Sequence, residues 1–216
     1  MNTSTLAQRG ARILACLFLA ASIPLLTGCF GIAAIGLGAS GLVLSDRRAA
    51  ETFLVDEGIE MRGTSRIREH LSDKVTVHVI SYNRTVLLTG SVPDAERKAE
   101  VEKLVSGVPN VKAISNELEI AGAASFADAA YLTGKVKTRF LESKQFAAHH
   151  VKVVTDAGIV YLLGLVTQRE ADAAVEITRT TAGVRKVVRV FEYISEEQAQ
   201  QMDSTATKPT ATTKTK

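Results

Sequence analysis

The strongest constraint on this chain is a repeat. Residues 77–90 read VHVISYNRTVLLTG and residues 151–164 read VKVVTDAGIVYLLG, aligned without a gap at an offset of 74. Five of the fourteen positions are identical: Val77/Val151, Val79/Val153, Val86/Val160, Leu88/Leu162 and Gly90/Gly164. A chain of 216 residues holds one ordinary domain or two small ones, and the repeat selects two copies of one scaffold. Hydrophobic residues make up 46% of the chain, enough for a core in each copy.

The flanks repeat as well. An amphipathic helix is expected over 59–72 and again over 127–143, with Ile67 and Leu71 matching Val136 and Phe140. Strict alternation follows, Val75-Val77-Val79 and Val151-Val153, as in a half-buried strand. A turn at Tyr82-Asn83-Arg84, or a bulged turn at Asp156-Ala157-Gly158, leads into a second strand at 85–90 or 159–164. Pro93-Asp94 and the capping-box pattern Thr167 to Glu170 open a second helix. Asn110 and Gly183 end it with residues that tolerate a left-handed backbone. A last strand is expected over 112–120 and 185–194. The fold class is therefore α+β: two αββαβ units, each a three-stranded mixed sheet with two helices on one face. The expected boundaries are 59–121 and 125–194.

One asymmetry separates the copies. The alternate strand face of the second is wholly apolar, Ile159, Tyr161, Leu163 and Leu165. The first has Thr85, Leu87, Thr89 and Ser91 there. An apolar sheet face needs a cover, so the two sheets pack together or this face meets a partner.

The first thirty residues read as an address. Arg9 and Arg12 precede an apolar stretch over 13–23, and Leu26-Thr27-Gly28-Cys29 matches the bacterial lipobox. The expectation is a lipoprotein signal peptide over 1–28, with Cys29 carrying N-acyl and S-diacylglycerol lipid. The alternative is one long span over 13–44. Pro24 and five glycines between 28 and 41 speak against a single regular helix there. Residues 29–58 then serve as anchor and linker. The last 22, 195–216, hold few apolar side chains and are expected to be disordered. Removing Arg9 and Arg12 with the signal leaves 24 basic residues against 23 acidic, a balance that excludes a general nucleic-acid footprint.

No catalytic constellation emerges. His149-His150 lie next to each other, so on a strand they point to opposite faces and make a poor chelate. Asp56-Glu57 fall in the linker and are expected to be solvated. We expect no catalytic residue, no metal and no cofactor beyond the lipid on Cys29.

The order of elements, with Val77, Val79, Val86, Leu88, Gly90 and Pro109-Asn110-Val111 in one copy, and Val151, Val153, Val160, Leu162, Gly164 and Ala182-Gly183-Val184 in the other, resembles the BON domain (bacterial OsmY and nodulation domain). Asn110 departs from the family's usual glycine. Two such units behind a lipobox resemble the dual-BON outer-membrane lipoproteins of the DolP type. The resemblance implies a non-enzymatic protein on the periplasmic side of the outer membrane. It would bind anionic phospholipid and support membrane integrity, and Phe30 after the lipobox fits outer-membrane export. In that family the first helix of the second domain touches lipid. The matching positions put Tyr131, Leu132 and Leu141 in the interface and Lys135, Lys137 and Arg139 over headgroups, with Val136 and Phe140 in the core. The alternative is a structural lipoprotein that docks onto an envelope protein assembly without binding lipid beyond its own anchor.

Overall fold

The computed structural model describes residues 46–71, 75–120 and 129–206, with side chains through 204. Cys29, the signal segment and 30–45 lie outside the described residues, as do 207–216.

The first unit opens with helix α1, Ala50–Leu71, whose Ile59, Ile67 and Leu71 face inward. Strands β1 (Thr76–Tyr82) and β2 (Thr85–Val92) pair antiparallel. Helix α2, Ala95–Ser106, is capped by Asp94, whose side chain accepts from the Arg97 N–H at 2.7 Å. It leads to two short strands parallel to β2, namely β3 (Ala113–Asn116) and β4 (Glu119–Ile120). The second unit repeats the order with α3 (Ala129–Ser143), β5 (Lys152–Asp156), β6 (Ile159–Val166), α4 (Gln168–Arg179) and β7 (Lys186–Tyr193). In each unit the hairpin is antiparallel and the helical crossover returns a parallel strand, so the expected α+β class and mixed sheets are present.

Local chemistry explains the repeats. Both hairpins close with two residues at positive φ, Asn83 (50°) and Arg84 (67°) in the first, Ala157 (45°) and Gly158 (78°) in the second. Tyr82 pairs with Thr85, and Asp156 with Ile159, directly across these turns. The second turn is thus a two-residue turn and not the bulged one expected, because two left-handed residues match the right-handed twist of the strands. The capping box at Thr167 and Glu170 forms as read. Asn110 (φ 73°) and Gly183 (φ 102°) both take the left-handed region, four residues past the last residue of α2 and α4.

Each pair of helices covers one face of its own sheet. Ile59, Val79, Val86, Leu88, Val101 and Val105 form the first core. Val136, Phe140, Val153, Val160, Leu162 and Ala174 form the second. The other faces of the two sheets meet each other. Tyr82 and Leu87 pack against Ile159, Tyr161, Leu163 and Leu165 in a third apolar cluster. The apolar face of the second sheet is therefore covered from within the chain. At the edges of this interface Glu192 pairs with Lys112 at 3.1 Å and accepts from Asn83 at 2.8 Å, and Lys152 reaches Glu60 at 3.2 Å.

Three expectations need correction. The stretch 29–58 is not all anchor and linker, since α1 begins at Ala50 and not at 59. Asp56 is not solvated: it is 2% exposed and accepts from Ser81 Oγ, from the N–H groups of Asn83 and Arg84, and from Arg48. It is the acid that closes the first hairpin turn onto α1. The stretch 195–216 is not disordered throughout, since α5 spans Glu196–Ala206. The helix is held by Ala199, which is 3% exposed, and by Asp203, which accepts from both Nε (2.9 Å) and Nη2 (3.0 Å) of Arg47. The same guanidinium donates to the Leu165 carbonyl at 2.9 Å and to both Glu170 oxygens at 2.6 and 3.0 Å. Low apolar content hid this helix because one buried ion-pair cluster, and not a stripe of large side chains, ties it down.

Candidate functional site

Helix α3 carries the residues singled out by resemblance. Its apolar seam, Leu132, Val136 and Phe140, recurs every fourth residue, and all three are buried. Leu132 is 5% exposed and belongs to the core, so it is not at a lipid interface. The i, i+4 spacing to Val136 places it on the inner seam. Val136 and Phe140 are core, as expected.

At 3.6 residues per turn, about 100° each, the remaining candidates divide between two flanks. Tyr131, Lys135 and Arg139 lie along the flank next to the C-terminal end of α4. Lys135 Nζ donates to the Ala182 carbonyl at 2.9 Å and stands 6.0 Å from the Tyr131 ring centroid. Arg139 donates to the Ile177 carbonyl at 2.6 Å and to the Thr181 hydroxyl at 2.7 Å. Its guanidinium satisfies the Ile177 carbonyl at the end of α4, where a cation also complements the helix dipole. Arg139 is thus a packing cation and not one held over headgroups. Lys137 and Leu141 lie on the other flank and face a cleft of about 380 Å³. Phe53 and Arg48, from the first unit's side, line the same cleft.

Between the flanks runs an open strip. Tyr131 is 73% exposed and Leu141 69%. They are separated by about 15 Å along the helix and about 80° around it. Gly134, with nothing within 4 Å of where a Cβ would stand, and the exposed Thr138 keep the strip between them low. The result is a small platform with an apolar group at each end and Lys135 and Lys137 on either side. Such a surface can lie on a membrane interface: aromatic and aliphatic groups enter it and ammonium groups stay wet.

The structure also brings together a cluster that sequence reasoning missed. Arg47, Glu170 and His150 are all at least 93% buried. Glu170 lies 2.6 Å from Arg47, and His150 Nε2 lies 3.5 Å from Asp203. Burial pushes the Glu170 carboxyl up, but His150, Arg47 and the Thr167 N–H outweigh it and hold the carboxyl well below the usual range. His150 Nδ1 is 3.7 Å from Glu170, so the two short Arg47 contacts carry most of this effect. His150, read from the sequence as half of a poor chelate, is buried in this cluster. The partners stand 123 and 156 residues from Arg47, and no local pattern announces such a pair. Among the described residues no group of three or more His, Cys, Asp or Glu is placed to hold a metal ion.

The BON domain family profile matches residues 61–122 and 128–195. The outer membrane lipoprotein DolP of Haemophilus influenzae is 37% identical over 175 residues, covering 78% of this chain and 90% of that protein. A 21 kDa hemolysin of Actinobacillus pleuropneumoniae is 32% identical over 154 residues, covering 69% and 79%. The osmotically-inducible protein Y of Escherichia coli is 28% identical over 142 residues, covering 62% and 71%. Two αββαβ units stacked sheet to sheet, each under its own match, place the chain in the BON-domain family, in the two-copy arrangement of the DolP type.

Proposed function

We propose that this is a lipid-anchored protein of the outer membrane, facing the periplasm, that binds anionic phospholipid through the platform on α3 and supports membrane integrity by binding, without catalysis. The observation that carries the reading is the pair Tyr131 and Leu141, both more than two-thirds exposed on a helix flanked by Lys135 and Lys137. Charge supports it. The matched segment 128–195 holds ten Lys and Arg against seven Asp and Glu, while 61–122 holds nine against eight. Each cation near an anionic surface contributes about 1 kcal/mol, so the platform alone binds weakly. An acylated Cys29 would raise the local membrane concentration and make weak contact sufficient. Exposed charges are screened over about 8 Å at physiological salt, so binding weakens as salt rises.

The test is flotation of residues 42–216 with vesicles of controlled charge. Anionic vesicles should carry the protein and neutral ones should not. Tyr131→Glu should abolish flotation while leaving the melting temperature unchanged. Equal flotation with neutral vesicles, or wild-type binding by Tyr131→Glu, overturns the reading. The anchor is tested separately by palmitate labelling, which Cys29→Ala should abolish.

A further inference from the structure

Strand β7 pairs with β6 along its whole length, Lys186 opposite Ile159 to Tyr193 opposite Val166, and no described strand pairs with its other edge. The Ile194 N–H donates to the Val166 carbonyl at 3.0 Å. In a parallel ladder bonding direction alternates along the strand. The N–H and C=O groups of Val187, Arg189, Phe191 and Tyr193 therefore point outward. The matching edge of the first unit is cut. There β3 ends at Asn116, whose side chain turns back to the Lys98 carbonyl and to Glu102, and Leu118 drops into the core at 2% exposure before β4 begins. A broken edge is a poor template for another strand, whereas a continuous one invites pairing.

Alongside the first half of β7 lies a hollow of about 290 Å³ whose lining includes Val175, Val184 and Val187. Every charged residue lining it is basic: Arg179, Arg185, Lys186 and Arg189. Three of these have acidic neighbours outside the hollow. Arg179 pairs with Glu176, Arg189 with Asp172 at 3.8 Å, and Lys186 with Glu117 at 4.0 Å. The cations of these pairs are about half exposed or more, and exposed pairs contribute little and exchange readily. Among the described residues the Arg185 side chain donates to the Ala157 carbonyl.

We propose that the outer edge of β7 is a docking site for an extended acidic segment of another protein. The segment adds as the next strand of the second sheet, drops one apolar side chain into the hollow and places carboxylates under Arg185 and Arg189. Main-chain hydrogen bonds supply the affinity and the cations select the sequence. This surface is separate from the platform on α3 and does not depend on the lipid reading.

The test uses the full chain, ¹⁵N-labelled in zwitterionic micelles, titrated with a capped octapeptide of alternating Glu and Val. An alternating Lys and Val peptide is the control. The acidic peptide should shift Val187, Arg189, Phe191 and Tyr193 saturably and slow their amide exchange about tenfold, and added salt should weaken it. Arg185→Glu should weaken binding about tenfold with the rest of the spectrum retained. Tyr131→Glu, which breaks the lipid platform, should bind the peptide as the unaltered chain does. The proposal is overturned if the four amides do not respond, or if the lysine peptide acts equally. It is also overturned if the edge is protected without peptide in a way that dilution removes, which would make a second copy the occupant. Anionic micelles shifting the same four residues as strongly as the peptide would assign the surface to lipid instead.

Discussion

The two halves share a topology and differ in what closes them. Two adjacent arginines make the difference visible. Arg48 turns to the first unit, where it meets Asp46 and Asp56 and lies 4.1 Å over the Tyr82 ring. Arg47 turns to the second, where it meets Glu170, Asp203 and the Leu165 carbonyl. Asp56 gathers α1 onto the first hairpin turn, and Arg47, through Glu170 and Asp203, gathers both ends of the described chain onto the second unit. The first unit also breaks its last strand, while the second keeps it whole and carries the cation excess. The lesson is that the repeated segments specify a scaffold, and divergence is concentrated at caps, edges and helix flanks, where it leaves the shared core intact.

The glycines that end the repeated segment offer the sharpest test of how alike the scaffolds are. A Cβ on Gly90 would stand 2.0 Å from the Thr76 carbonyl oxygen, at a φ of 114° that side chains rarely adopt. A Cβ on Gly164 would stand 2.5 Å from the His150 carbonyl oxygen, where no left-handed backbone is required. Gly90→Ala therefore combines backbone strain with overpacking and should cost about 4 kcal/mol. Gly164→Ala should cost about 2 kcal/mol from overpacking alone. Chemical denaturation followed by circular dichroism gives both values. A larger loss from Gly164→Ala would break the comparison.

The acidic hub of the second unit comes next. Replacing Arg47 by Met leaves Glu170 buried without its main partner and should cost about 3 kcal/mol. Amide exchange in α5 should rise with it, because Asp203 loses the same guanidinium. The pH dependence follows from the sign of the shift. The folded Glu170 carboxyl is held below its ordinary value near 4.5. Its contribution is therefore present above that value and is lost as pH falls below it. Glu170→Gln should flatten the acid side of the stability profile between about pH 5 and pH 2. An unchanged acid limb would show that the cluster does not couple to folding.

Much of the scaffold was legible because it is written in short-range patterns. Alternating valines, the capping box at Thr167 and the left-handed residues Asn110 and Gly183 each act within a few positions. The apolar strand face of the second copy correctly called for a cover. On α3, Tyr131, Leu132 and Leu141 were singled out through the family resemblance; Tyr131 and Leu141 are exposed, whereas Leu132 is buried on the seam that helical spacing gives it with Val136 and Phe140. Arg139 could not be read, since its partners are one carbonyl and two hydroxyls some forty residues away. The Arg47 cluster and the helix it holds were invisible for the same reason: ion pairs across 123 and 156 residues leave no periodic trace. Asp56 looked solvated because it was placed in a linker, and only the hairpin turn folding back onto α1 reveals its four donors.

The smallest effect separates the two turns after the crossover helices. Gly183 sits at φ 102° and Asn110 at φ 73°. A Cβ on Gly183 would stand 3.5 Å from Leu132 Cδ1, which is ordinary contact, so space is not the obstacle. The obstacle is the backbone: a branched residue in the left-handed region costs roughly 1–2 kcal/mol. Gly183→Val should lower stability by about that amount, and Gly183→Asn by less, because asparagine tolerates the region. In the first unit the exchange runs the other way. Asn110 already accepts the conformation, so Asn110→Gly should be near neutral, relief of strain being offset by the larger entropy of the unfolded glycine. Thermal melts of the three variants place the two turns on one scale. If Asn110→Gly proves as costly as Gly183→Val, the Asn110 side chain matters beyond its backbone angle, and the turns are not equivalent despite their shared position.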